Sequence, residues 1–336
     1  MHGGIAMGDF QALVIDERDG KCTASVRRVP ERDLPLGDVT VSVKYSSLNY
    51  KDGMVITGAG GLVRRFPHIS GGDMAAVVES STSPLYKPGD EVVLVSSRVG
   101  ERYWGGHAQR ARVPAELLVP LPAGLGLKQA MAIGTAGFTA MLCIGDLERH
   151  GLKPGNGEVL VTGAAGGVGS TAVAILAKLG YDVAASTGRS DTHEYLKLLG
   201  ARTLIDRRTL EAPPDRPLLE ERWAGCVDSV GGQTLATVLA MMKYGTSVSA
   251  CGLAGGNDMR VSVFPFILRS VNLLGMDTIS RSLPEKRAAW RRMARDFPLE
   301  KLDAITTIVR LDQVPDWAEK ILKGQVRGRI VVDLAG

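Results

Sequence analysis

Along the first third of this chain, apolar residues return at every second position. Val39, Val41, Val43 and Tyr45 share one face at the strand period. Residues 11–15, 23–26, 75–78 and 91–95 have the same strand-like character, and Lys87-Pro-Gly-Asp90 makes a turn before the last of them. Short segments from Ala111 to Val119 carry on to the turn at 120–126, so breakers at close intervals predict a β-rich, partly open barrel. From Lys128 to Leu147 the spacing becomes helical. Strands and helices then alternate: strand 159–162, helix 170–179 stopped by Gly180, strand 181–187, and helix 191–199 with Asp191 and Glu194 spaced for a capping box. Strand 203–205, a polar proline-bearing loop or short helix over 209–221, strand 224–229, helix 233–242 and strands 246–251 and 272–276 follow. This alternation predicts an α/β fold with a doubly wound parallel sheet. Beyond residue 278 come basic amphipathic stretches and a last strand, 329–333. The pattern divides the chain into a β-rich domain, 1–127 with 278–336, and a dinucleotide-binding domain, 128–277.

Composition narrows the functional classes. The 336 residues carry a net charge of +4 and 45% hydrophobic content, enough for two cores and too little charge for a polyanion-binding protein. Arg64-Arg65 and Arg291-Arg292 are short pairs that read as solvated faces. Residues 1–8 lack a signal-peptide pattern and suggest an upstream extension with a native start at Met7. No run of roughly 18 apolar residues stands out as a membrane span, which points to a cytoplasmic protein. The four cysteines and five histidines show no metal-ligand spacing.

The chemistry gathers around Thr162-Gly-Ala-Ala-Gly-Gly-Val-Gly169. A β-branched strand, a glycine turn and a helix start are what a pyrophosphate needs, because the main chain must come close and the helix N-terminus offers free N–H groups. Ala164 takes the first glycine slot, ahead of Gly166, Gly167, Val168 and Gly169. An ordinary close-packed βα turn is the alternative. The next strand ends Ser186-Thr-Gly-Arg189, where an NAD site would place a carboxylate. Thr187 and Arg189 suit a 2′-phosphate instead and favour NADP(H), unless Arg189 is only a surface arginine.

Further stretches carry a family resemblance: Ser46-Ser-Leu-Asn-Tyr-Lys-Asp52, Trp104-Gly-Gly106, Gly134-Thr-Ala-Gly-Phe-Thr-Ala140, Val227-Asp-Ser-Val-Gly-Gly232, Ala250-Cys-Gly-Leu-Ala-Gly255 and Gly324-Gln-Val-Arg-Gly-Arg329. With the glycine loop and the strand end after it, they resemble the medium-chain dehydrogenase/reductase superfamily from about residue 10 onward. The details are similar to its zinc-free quinone oxidoreductase-like branch, which includes the NADPH-dependent acrylyl-CoA reductases. The resemblance implies a Rossmann-type sheet beside a GroES-like partly open barrel. Zinc-dependent members carry Gly-His-Glu where Gly71-Gly72-Asp73 stands here, and a four-cysteine lobe that is missing. Gly72 replaces a bulkier residue, Ala76 a glycine, and Thr187 a serine of many relatives.

What the resemblance implies is a zinc-independent, NADPH-dependent reductase of an activated C=C bond, with acrylyl-CoA giving propionyl-CoA as the best fit. Quinone or enone reduction is the alternative within that class, and a non-catalytic NADPH-binding sensor or structural protein is the alternative outside it. Asn49 is expected to hydrogen-bond cofactor or substrate carbonyl, and Tyr50 to donate a proton or position the substrate, unless it packs the barrel. Lys51 and Asp52 suggest a local surface pair. Thr135 is expected to face the pyrophosphate, Cys251 and Leu253 to lie beside the nicotinamide, and Arg329 to approach a cofactor phosphate or project into solvent. Asp73 orients a neighbour or caps a turn, and Trp104 is cleft wall or core. Arg64 and Arg65 are candidates for the phosphates of a coenzyme A thioester. Strand 272–276, at the sheet edge, suggests a homodimer.

Overall fold

The computed structural model describes residues 8–334, so the expectation about a start at Met7 lies outside the described residues. Strands β1 (Phe10–Arg18) and β2 (Lys21–Val29) form a hairpin. Its turn is Asp19-Gly20, both at positive φ (53° and 75°), the two-residue turn whose twist suits paired strands. Strand β3 (Val39–Leu48) runs directly into helix α1 (Tyr50–Thr57), and β4 (His68–Ile69), β5 (Met74–Ser81), β6 (Glu91–Leu94), β7 (Arg110–Val113) and β8 (Val119–Pro120) follow. Helix α2 (Leu127–Arg149) is interrupted at Gly134, whose φ of 50° and ψ of −161° are not helical.

The chain divides into two compact units, and one boundary falls next to that break, between Thr135 and Ala136. Unit 2 comprises Ala136–Thr278 with Arg295–Lys301. It contains β9 (Glu158–Val161), α3 (Gly167–Lys178), β10 (Asp182–Thr187), α4 (His193–Leu199), β11 (Thr203–Asp206), α5 (Arg208–Glu211), β12 (Gly225–Asp228), α6 (Gly232–Ala240), β13 (Ser247–Ala250), α7 (Phe264–Arg269) and β14 (Asn272–Gly275). The six strands are all parallel, in the order β11-β10-β9-β12-β13-β14. This is the doubly wound arrangement in which the strand order reverses beside the first strand, so that a crevice opens at the carboxyl ends of β9 and β12. Val159, Leu160 and Val161 of β9 are fully buried, as a strand covered on both faces requires.

Unit 1 takes the chain up to Thr135, Ile279–Ala294 and the part from Leu302 onward. Beyond α8 (Leu283–Asp296) and α9 (Leu302–Ile305) come β15 (Thr306–Arg310), α10 (Val314–Leu322) and β16 (Arg329–Asp333). Strand β16 slots between β15 and β3, completing a seven-stranded sheet ordered β15-β16-β3-β5-β6-β8, with β7 also on β3; β2-β1-β4 form a separate sheet. Its core includes Leu13, Val41, Val43, Leu48, Met74, Leu94, Ile330 and Val332. Each such side chain contributes about 1.5–3 kcal/mol on burial.

Several local expectations change. Val39, Val41 and Val43 are buried, but Tyr45 is not on their face: Val43 pairs with Ala76 and Tyr45 with Ala75, and this irregularity shifts the alternation. No side chain caps α4; a 3-10 turn, Ser190–Thr192, leads into it and replaces the capping box expected from Asp191. Helix α3 begins at Gly167, three residues before the apolar run that announced it. Strand β15 went unforeseen because its parallel partner β16 lies beyond an intervening helix. Helix α2 contains an 18-residue window of mean hydropathy 1.5, long and apolar enough to cross a membrane, which corrects the expectation that no such run exists; 78% of that window is buried within the fold.

Candidate active site

In unit 1, five separated segments bring polar groups into one buried cluster. Strand β3 ends with Ser46, Ser47 and Leu48 all buried, and Asn49 in extended conformation caps the start of α1. Asn49 N–H donates to Asp52 Oδ2 at 2.8 Å, and Gly72 N–H donates to Asp52 Oδ1 at 2.8 Å. Asp73 Oδ2 accepts from Ser47 Oγ at 2.6 Å and from Thr135 N–H at 2.8 Å, and Asp73 Oδ1 accepts from Thr135 Oγ1 at 2.5 Å. Asn49 Nδ2 lies 3.1 Å from Asp52 Oδ2, 3.0 Å from Asp73 Oδ2 and 3.3 Å from Ser47 Oγ. An amide has two N–H bonds, so three internal acceptors leave none for a substrate. This corrects the role expected of Asn49. Its Oδ1 is also engaged, by Arg329 Nη1 at 3.0 Å.

Arg329 is the cation of this cluster. Its other nitrogens donate to Ala132 O at 3.1 Å and Ser47 Oγ at 3.0 Å, and Nη2 stands 4.0 Å from Asp73. The side chain is buried, so neither a solvent-exposed guanidinium nor a phosphate ligand describes its setting. Gly134 explains the break in α2. A Cβ there would fall on Arg329 Nη2 and stand 2.8 Å from Asp73 Oδ2. The helix is interrupted where the cluster needs the space.

Two carboxyls against one guanidinium make an uneven charge balance. Burial, reinforced by the neighbouring Asp73, pushes the Asp52 carboxyl up to about 7. His107 reaches the cluster from the Gly105-Gly106 turn, and burial lowers its imidazole to about 4, so it is neutral. Its Nε2 lies 3.2 Å from Ser47 O, which only accepts, so Nε2 carries the hydrogen and Nδ1 accepts from Ser70 Oγ at 2.9 Å. Lys51 does not pair with Asp52: it meets Glu101 at 2.9 Å, and Asp52 points inward. Tyr50, next to Asn49, is 42% exposed rather than packed in the barrel. Thr135 directs its hydroxyl to Asp73 Oδ1 and accepts from Ser96 Oγ at 2.9 Å. Trp104 is partly buried against Phe10, Ala12 and Val14, and Arg64 and Arg65 are exposed. Among the described residues, no three His, Cys, Asp or Glu side chains are grouped to hold a metal ion.

In unit 2, the glycine loop closes with Gly166 N–H donating to Gly163 O at 2.9 Å, Gly163 having a φ of 58°. A Cβ on Gly169 would strike Gly163 O and come within 2.5 Å of Ala164 Cα, so α3 starts hard against the loop. Gly167 and Val168, in its first turn and partly exposed, carry the amides that an α-helix leaves unpaired. Ala164 is instead the floor of the loop: it is buried, its N–H donates to Ser186 O at 3.1 Å, and its carbonyl accepts from Ser170 Oγ at 3.2 Å. This glycine cradle with outward amides fits a dinucleotide pyrophosphate.

At the end of β10, Thr187 lies beside Arg189, whose N–H donates to Thr187 Oγ1 at 3.2 Å. At the end of β13, Cys251 N–H donates to Asp228 O at 2.8 Å and its thiol lies 3.2 Å from the same carbonyl, while Leu253 is exposed. Hydrogen bonding with Cys143 and burial raise the Cys251 thiol, which makes it a packing group and not a nucleophile. The structure thus gathers Asn49, Thr135 and Arg329 in unit 1, and Gly166, Gly167, Val168, Thr187, Arg189, Cys251 and Leu253 along the carboxyl edge of the unit 2 sheet.

A β-rich barrel and a six-stranded dinucleotide sheet in one chain define the architecture of a medium-chain dehydrogenase/reductase. Residues 35–123 match the alcohol dehydrogenase GroES-like domain family, and residues 167–295 match the zinc-binding dehydrogenase family. The chain is 56% identical over 327 residues to acrylyl-CoA reductase AcuI of Ruegeria pomeroyi, covering 97% of this chain and 99% of that protein. It belongs to the acrylyl-CoA reductase family, in the quinone oxidoreductase-like branch of the superfamily. The yhdH oxidoreductase of Salmonella enterica, solved in complex with NADP, superposes with a TM-score of 0.94 at 51% identity, covering 96% of this chain and 99% of that one. Bacillus subtilis yhfP, solved with NAD bound, gives a TM-score of 0.94 at 42% identity, covering 97% and 99%. That protein bears the name putative quinone oxidoreductase YhfP.

Proposed function

We propose that this chain is an NADPH-dependent reductase of the C=C bond in a short enoyl-CoA thioester, with acrylyl-CoA giving propionyl-CoA as the best fit. The observation that carries this reading is full-length identity of 56% to a protein named acrylyl-CoA reductase. The amides of Gly167 and Val168 would hold the pyrophosphate and Arg189 the 2′-phosphate, while Cys251 and Leu253 would line the nicotinamide end. When bound, NADPH supplies a hydride to the electrophilic β-carbon of the substrate. Tyr50, exposed at the start of α1, would steady charge on the thioester oxygen or return a proton to the α-carbon. Asn49 is a positioning residue: its locked amide fixes the turn that presents Tyr50. Asp73 and Arg329 hold Asn49 in turn.

We further infer a cytoplasmic homodimer. Among the described residues, strand β14 pairs on one side only, with β13, and Val261, Val263, Phe264, Ile267 and Leu268 are exposed just before it. An uncovered edge beside an apolar surface suits a second copy of the same edge across a two-fold axis.

The test follows NADPH absorbance with acrylyl-CoA, crotonyl-CoA and a benzoquinone side by side. Preferential turnover of acrylyl-CoA supports the reading. Turnover of the quinone alone replaces it with the second one, to which the name of the Bacillus relative points.

A further inference from the structure

Away from the glycine loop, unit 2 has a cavity of about 330 Å³ at the opposite, amino-terminal edge of its sheet. Asn156 lies just before β9, Ser247 opens β13, and His150 follows the end of α2; all three line it, together with Lys243. The volume is at the lower end of the range for small-molecule sites, which suits a small metabolite better than a dinucleotide.

The lining is chemically one-sided. Lys243 is half-buried, and its Nζ makes one long hydrogen bond, to Asn156 O at 3.4 Å. A Cβ on Gly157 would come within 2.6 Å of that nitrogen, so the turn is bare where the ammonium lies. Among the described residues, no carboxylate lines the cavity and none pairs with Lys243. The acids nearby in the chain are engaged: Glu158 by Arg222 at 3.1 Å, Glu221 by Arg269 at 3.4 Å, and Asp146 by Arg149. A cation partly withdrawn from water without a counter-charge costs free energy that a bound anion recovers. Ser247 is buried, accepts from Asn272 Nδ2 at 3.3 Å and, among the described residues, donates to none, so its hydroxyl hydrogen is left for a ligand. His150 Nδ1 lies 2.8 Å from Asp146 O, which only accepts, so Nδ1 carries the hydrogen and Nε2 of the neutral ring is an acceptor.

We propose that this cavity is a binding site for a small hydroxycarboxylate, whose carboxylate meets Lys243 and Ser247 and whose hydroxyl donates to His150. The site stands apart from the glycine loop and does not depend on the reaction assigned above. Isothermal titration of the whole protein, with NADP+ saturating so that the glycine loop is filled, uses L-malate, succinate and glycerol as probes. L-malate is expected to bind saturably, succinate, which lacks the hydroxyl, about 3- to 10-fold more weakly, and glycerol not at all. Lys243→Met is expected to weaken L-malate by about 10-fold or more and Ser247→Ala by about 3- to 10-fold, both keeping their NADPH affinity within about twofold. Lys243→Arg, which preserves the charge, is expected to retain most of the affinity, and this separates a lost contact from a misfolded variant. No saturable heat with L-malate, or an affinity that Lys243→Met leaves unchanged, would overturn the site. Equal affinities for L-malate and succinate would overturn the hydroxycarboxylate assignment.

Discussion

Arg329 Nη1 donates to Asn49 Oδ1 at 3.0 Å, joining residues 280 positions apart in the chain. The bond orients the Asn49 amide so that its hydrogens face the two carboxyls, and it puts the only guanidinium of the cluster beside Asp73. Arg329→Met removes the cation and leaves Asp52 and Asp73 buried without it. A loss of about 3–5 kcal/mol is expected in chemical denaturation. Arg329→Lys is expected to recover little, because a point charge cannot serve Ala132 O, Asn49 Oδ1 and Ser47 Oγ together.

Asp52 and His107 give opposite pH dependences. The Asp52 carboxyl rises from 3.8 to about 7, so its stabilising contribution is full below 3.8 and is lost as the pH climbs through about 7. The His107 imidazole falls from 6.5 to about 4, so its contribution is full above 6.5 and is lost as the pH drops through about 4. Each slope approaches about 1.4 kcal/mol per pH unit, and in the wild type they largely offset each other over the shared window. Denaturant midpoints from pH 4 to 8 should show wild-type stability minus that of Asp52→Asn falling as the pH rises. The difference from His107→Gln should rise instead. Parallel profiles for all three proteins would refute both assignments.

Gly134→Ala tests why α2 is broken. The new methyl meets Arg329 and Asp73 at a positive φ, and a loss on the order of 3 kcal/mol is expected. Thermal unfolding should show it, whereas Gly151→Ala, also at positive φ but with open space around it, should cost less.

Tyr50→Phe separates chemistry from packing. Because the ring is 42% exposed, the melting temperature should hardly move. If the hydroxyl steadies charge or delivers the proton, kcat should fall by about 100-fold with KM little changed. An unchanged kcat would exclude that role.

The apolar surface before β14 makes its own prediction. Ile267→Glu combined with Leu268→Glu should convert a dimer into a monomer, read by light scattering after size-exclusion chromatography. A wild-type monomer would end the dimer reading at once.

Much of the fold was legible because its signals are local. The Gly163–Gly169 loop sits between a β-branched strand and an apolar helix, and Val39, Val41 and Val43 keep a strand period until the irregularity before Tyr45. The polar cluster was not legible as a cluster. Asp52 looks like a surface residue beside Lys51, and only the fold turns it inward against Gly72 and Asn49.

Strand β16 joins edge strand β15 to the rest of the unit 1 sheet, yet the ribosome reaches it only after all of unit 2 has been made. The emerging polypeptide therefore holds Asp52 and Asp73 for most of its synthesis without the arginine that balances them. The barrel can reach its final form only late, when β16 pairs with β3 and brings β15 with it, whereas the dinucleotide unit already has all six of its strands.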